Sequence, residues 1–162
     1  MMMFQTTAYS DDKVKDYERL LKQLTALSED ETDAIAILSN ASALLNQFLD
    51  DVNWVGFYLW KNDELVLGPF QGLPACIRIA YGKGVCGTAI KEGKTQRVED
   101  VMAFPGHIAC DSASQSEIVV PMSVDNGIYG VLDIDSPIKN RFDETDQIYL
   151  EKFARELERL VR

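Results

Sequence analysis

The residues of this chain best suited to chemistry are three cysteines, a single histidine and a few carboxylates set among alternating apolar residues. Cys76, Cys86 and Cys110 fall in one central stretch, flanked by Gly, Pro, His and Asp rather than by continuous hydrophobic sequence. Three is an odd number and too few for a disulfide scaffold, so in a reducing compartment they begin as thiols. A free cysteine is often only a small core residue; the turn-rich flanks tilt these three towards chemistry. Nine and then twenty-three residues separate successive cysteines. No short chelating pair exists, and a zinc site completed by His107 is a weak reading. Cys86 lies near the start of an expected short helix, where the dipole favours a thiolate. His107 stands three residues before Cys110, to lower its thiol pKa or to orient the loop. Cys86 and Cys110 are both candidate nucleophiles, and spacing does not separate them.

The carboxylates stand out through strand parity, because residues two apart on a strand share a face. In the first strand-like stretch Val55, Phe57 and Leu59 take one face, and Trp54, Gly56 and Tyr58 the other. Further on, Ile118, Val120, Met122 and Val124 oppose Glu117, Val119, Pro121 and Ser123. In the third, Ile128, Gly130, Leu132 and Ile134 oppose Tyr129, Val131, Asp133 and Asp135. Each stretch offers one aliphatic face for packing on helices and a second face bearing aromatics or acids. Simple solvent exposure would suit the acids, but not Trp54 and Tyr58. The reading is a pocket with an aromatic wall and an acidic corner. Three converging carboxylates suit an ammonium group, and one crowded by the others suits a general acid. A Mg²⁺ or Ca²⁺ site comes second, since no Asp-rich loop of the required spacing is present.

Those faces need elements to position them. Val14, Tyr17, Leu20, Leu21, Leu24 and Leu27 predict a helix from Asp11 to Leu27. Ser28 and Glu31 read as a capping box opening a second helix, with Ile35, Leu38, Ala41, Leu45 and Phe48 to Leu49 inward. NWVGFYLW and ELVLGPF read as strands about the turn Lys61-Asn62-Asp63, and a short helix follows Gly84 and ends at Gly93. TQRVED is a further strand and VMAFPGHIACDSASQ a loop. SEIVVPMSV and GIYGVLDID flank Asp125-Asn126-Gly127, a hairpin signal. Asp143 to Arg162 is an amphipathic helix with Ile148, Leu150, Phe153, Leu157 and Leu160 inward. The order predicts an α+β fold, with helices on one face of an antiparallel sheet. No repeat or linker interrupts it, so residues 1–162 read as one domain.

Composition removes several function classes. A net charge of −10 with no basic cluster argues against nucleic acid. The longest apolar runs, Trp54 to Trp60 and Ile118 to Met122, are strand-sized and argue against a membrane. The start MMMFQTTAYSDDK lacks the features of a secretory signal, which makes the cytoplasm the expected compartment.

The runs GPFQGLPACIRIAYGKGVCGTA, FPGHIACDSASQSEIVVPM and YGVLDIDSP, with NWVGFYLW before them, resemble the free methionine-(R)-sulfoxide reductase family from Asn53 to Pro137. The resemblance implies a GAF fold, with terminal helices backing an antiparallel sheet and loops roofing a ligand pocket. It implies reduction of the free amino acid with no bound redox cofactor, and recycling by thioredoxin or a similar dithiol. By matching motifs, Cys110 would be the nucleophile, Cys76 the main resolving thiol and Cys86 an alternative resolving thiol or relay. Glu117, Asp133 and Asp135 would bind substrate, with Glu117 or Asp135 as the acid, while Trp54 and Tyr58 would wall the methyl group. A homodimer is compatible with the resemblance. The rivals are a ligand-binding GAF sensor and a cysteine-ligated metal domain.

Overall fold

The structure, a computed structural model, describes residues 12–108 and 110–162. The expected helix start at Asp11 and the N-terminal stretch without a secretory signal lie outside the described residues.

Helix α1 (Lys13–Leu27) begins where Asp12 accepts from the Lys15 backbone N–H. It closes at Ser28, whose N–H bonds back to the Leu24 and Ala26 carbonyls. Ser28 therefore does not open the second helix. Asp33 does, accepting from the Ala36 N–H at the head of α2 (Ala34–Phe48). Glu31 accepts instead from the N–H groups of Thr32 and Asp33, so the expected capping box is replaced by an acidic turn. The buried stripe of α2 is Ile37, Leu38, Ala41, Leu44 and Leu45, and Ile35 faces solvent. This stripe keeps the i, i+4, i+7, i+8 spacing that one helix face can bury; Ile35 falls off it.

The sheet has strand order β3-β2-β1-β6-β5-β4, every neighbour antiparallel. Its long strands are β1 (Trp54–Lys61), β2 (Glu64–Gly72), β5 (Ser116–Val124) and β6 (Gly127–Ser136). The short edges are β3 (Arg78–Ala80) and β4 (Gln96–Val98). Asn62 and Asp63, then Asp125 and Asn126, all take positive φ, so both hairpins close through two-residue turns whose twist matches the strands. At three residues, β3 is too short to show alternation in the sequence.

One sheet face carries Val55, Phe57, Leu59, Ile118, Val120, Met122, Leu132 and Ile134 against α1, α2 and α4 (Glu144–Leu160). In α4 the inward stripe runs Asp146, Leu150, Phe153, Ala154 and Leu157. Ile148, expected inward, sits between two of these turns and is exposed. The other sheet face carries Trp54, Tyr58, Val119 and Val131 against α3 (Gly84–Glu92), which ends at Gly93 with φ 63°. Parity fails in β2, which slips by one residue opposite Gly56 and Tyr58, and again in β6. A bulge between Met122 and Ser123 of β5 pairs them with Gly130 and Ile128, leaving Tyr129 as the extra residue. Tyr129 consequently packs on the helix side and Ile128 is exposed, the reverse of strict alternation. No helix among the described residues is long and apolar enough to cross a membrane.

Candidate active site

Register brings the acids together. Asp135 of β6 stands opposite Trp54 of β1 on one side and Glu117 of β5 on the other. Asp133, two residues earlier, stands opposite Gly56 and Val119. Strands carry cross-strand neighbours on the same face, so Glu117, Asp133 and Asp135 converge beneath α3.

That helix brings Cys86 into the corner. A Cβ at Gly87 would lie 2.5 Å from the Ala80 carbonyl oxygen, so glycine lets the first turn of α3 press onto the segment after β3. Cys86 is buried and its thiol donates to Asp133. Burial first, then the charges of Asp133, Glu117 and Asp135, push this thiol well above its ordinary range. The thiolate expected at Cys86 from the helix dipole does not form, because burial beside three carboxylates outweighs a partial charge.

The carboxyl groups are shifted in the same direction. Burial and the proximity of Asp133 and Asp135 raise Glu117 well above the usual range, and Glu117 donates to both neighbours. Burial and Asp135 likewise raise Asp133. Asp135 is pushed up by burial to about 6, held there by hydrogen bonds from Glu117 and Ser114. No Lys or Arg pairs with the three among the described residues. Asp133 Oδ1 and Asp135 Oδ1 are buried without a hydrogen-bond partner. Unpaired buried oxygens are expensive, and these are ready for a donor.

The aromatic wall stacks and also ties down a cysteine. Trp54 lies 5.8 Å from Tyr58 and 5.1 Å from Phe70, ring centre to ring centre. Trp54 Nε1 donates to the Leu73 carbonyl at 3.2 Å, and Tyr58 Oη to the Cys76 carbonyl at 2.9 Å. Both bonds fix the loop that carries Cys76. Cys76 is disulfide-bonded to Cys110, with Cα atoms 5.5 Å apart, while Cys86 is free. On the Cys110 side, Asn53 Nδ2 donates to Asp111 Oδ2 at 3.0 Å and to Ser114 Oγ at 3.1 Å. Asp111 Oδ1 accepts from the Ala113 N–H at 2.8 Å.

Trp54, Tyr58, Cys86, Cys110, Glu117, Asp133 and Asp135 line one cavity of about 40 Å³, together with His107 and Lys83. Cys76 stands outside that lining and joins it through the disulfide. Partial burial lowers the His107 pKa. Sequence reasoning missed Phe70, Asn53, Asp111 and Ser114. The last three act through contacts 58 and 61 residues apart, which no local pattern carries.

Chemically, the site joins a redox-active sulfur, a proton donor and cation-seeking oxygens beside an apolar aromatic surface. The GAF domain family matches residues 33–161. The free methionine-R-sulfoxide reductase of Escherichia coli is 51% identical over 150 residues, 93% of this chain and 91% of that protein. The chain belongs to the free methionine-R-sulfoxide reductase family, a group of GAF domains. The fRMsr of Staphylococcus aureus, in complex with substrate, is 54% identical and superposes with a TM-score of 0.87 over 98% of this chain and 100% of that one. The free methionine-R-sulfoxide reductase of Neisseria meningitidis, in complex with its substrate, is 47% identical, with a TM-score of 0.94 over 98% of this chain and 96% of that one. The GAF architecture expected from the sequence is thus the observed one: an antiparallel sheet with α1, α2 and α4 behind it and the cavity in front.

Proposed function

We propose that this chain reduces the free amino acid methionine-(R)-sulfoxide to methionine, with residues 1–162 acting as a single GAF domain. The observation that supports this most is Cys110 sharing one cavity with protonated Glu117 and the unpaired oxygens of Asp133 and Asp135.

The substrate ammonium takes the open oxygens of Asp133 and Asp135 as charge-assisted hydrogen bonds. Its carboxylate suits the N-terminus of α3, where Lys83 provides no side-chain cap and lines the cavity with Gly84 and Val85. Trp54 and Tyr58 receive the methyl group. The Cys110 thiolate attacks the sulfoxide sulfur while Glu117 gives its proton to the oxygen. Glu117 suits the acid's role better than Asp135, because it is the donor of the pair. The oxygen passes to sulfur, methionine leaves and Cys110 becomes a sulfenic acid. The Cys76 thiol displaces water from it, forming the Cys76–Cys110 disulfide. An external dithiol, thioredoxin or a similar cytoplasmic reductant, restores both thiols. A cavity of about 40 Å³ has room for a few waters and not for an amino acid, so reduction precedes the next substrate.

The test is turnover of free R- and S-sulfoxides with a dithiol, followed by methionine release. Wild-type protein converts the R form, and Cys110→Ser converts neither. Retained turnover by Cys110→Ser would remove Cys110 as the nucleophile.

A further inference from the structure

Cys86 has no part in the chemistry proposed above, and it remains a free thiol among carboxylates. Its Sγ and one carboxylate oxygen from each of Glu117 and Asp133 lie within 4.8 Å of one another. The three side chains come from α3, β5 and β6, and are 4%, 7% and 5% exposed. A second observation points to a ligand: Asp133 Oδ1 has no hydrogen-bond partner although its side chain is buried and lines the cavity with the other two. We propose that Cys86, Glu117 and Asp133 form a binding site for a thiophilic divalent cation of the Zn²⁺ class.

The donor set chooses the ion. One sulfur and two carboxylate oxygens suit Zn²⁺ or Cd²⁺, whereas Mg²⁺ and Ca²⁺ need six or more oxygens. Tetrahedral Zn²⁺ holds S and O ligands roughly 3.4–3.6 Å apart, so side-chain shifts of about 1 Å close the shell from the present spacing. The fourth position opens on the cavity, whose 40 Å³ accommodates the ion and a water. The thiol and carboxyl protons leave to solvent as the ion binds. A bound ion draws on the same Asp133 carboxylate as the substrate ammonium and its charge repels the ammonium, so ion and substrate exclude each other. This exclusion rests on the proposed function; the metal site does not.

The disulfide form isolates the site, because Cys76 and Cys110 are then unable to ligate. Titration of that form with Cd²⁺, without added thiol, gives one equivalent bound with a thiolate-to-cadmium ultraviolet band. Cys86→Ser abolishes the band, and Asp133→Asn keeps it while weakening binding at least about tenfold; thermal melting checks that both fold. Absence of the band in wild type, or unchanged binding in Asp133→Asn, overturns the site. In Cys76→Ser/Cys110→Ser protein, free methionine sulfoxide raises the apparent Kd for Cd²⁺; simultaneous binding of both overturns the exclusion. Failure of the sulfoxide to bind that variant counts against the proposed function instead.

Discussion

Two buried acidic groups lie on opposite faces of the same sheet, and they are solved in opposite ways. Behind the sheet, Asp146 is fully buried yet surrounded by donors. Tyr17 Oη donates to it at 2.6 Å, Lys13 Nζ at 2.9 Å, the Asp143 N–H at 2.9 Å and Arg141 Nη1 at 3.3 Å. It joins α4 to α1 and to the segment before α4. In front, Glu117, Asp133 and Asp135 share protons, pair with no Lys or Arg among the described residues and leave two oxygens open. A buried acid with every oxygen matched belongs to the fold. A buried acid with an oxygen left unpaired is a standing expense that folding alone does not explain, and it marks where a ligand's charge goes.

The contrast can be broken from either side. Asp146→Ala strips the anion from beneath Lys13, Arg141 and Tyr17 and should destabilise by about 3 kcal/mol, read by thermal or urea unfolding. Turnover per folded molecule should hardly change. Asp133→Asn should do the reverse: kcat/KM falls by about 10²-fold or ~2.7 kcal/mol, with stability held or improved. If Asp133→Asn instead unfolds the protein and Asp146→Ala does not, the assignment of the two groups is inverted. Tyr17→Phe removes one buried hydrogen bond and should cost about 1–2 kcal/mol, with no effect on substrate affinity.

The same contrast extends to the pH dependence. Asp135 has its folded pKa raised from 3.8 to about 6, so the stability it contributes is present below pH 3.8 and lost as pH rises through 6. Asp143, although partly buried, is brought down to about 2 by the Asp146 N–H and Lys13; its contribution is present above pH 3.8 and lost as pH falls through 2. Denaturant midpoints across pH should therefore show Asp135→Asn gaining on wild type between pH 4 and 6. Asp143→Asn should lose to wild type above pH 3.8 and converge with it near pH 2. Parallel profiles for both variants would erase the distinction.

Much of this arrangement is legible in the chain, because antiparallel strands obey parity. Trp54, Tyr58, Glu117, Asp133 and Asp135 share a face in the sequence pattern and in the sheet. Parity says nothing of a bulge, so Tyr129 and Ile128 exchange faces. Cap residues are ambiguous when acids and hydroxyls are plentiful: Asp33 and not Ser28 starts α2, because Ser28 closes α1. At Cys86 the helix dipole is visible in sequence and the burial that overrules it is not. Asn53, which holds the Cys110 loop through Asp111 and Ser114, reads locally as only a residue before a strand.

The most direct test of the claim that the open oxygens exist for the substrate's charge is a comparison of two substrates. N-acetylation of methionine-(R)-sulfoxide removes the ammonium and leaves the sulfoxide intact. For the acetylated compound kcat/KM should fall by about 10²-fold or more, and Asp133→Asn should narrow the gap between the two. Equal turnover of both compounds by the wild-type protein would contradict it.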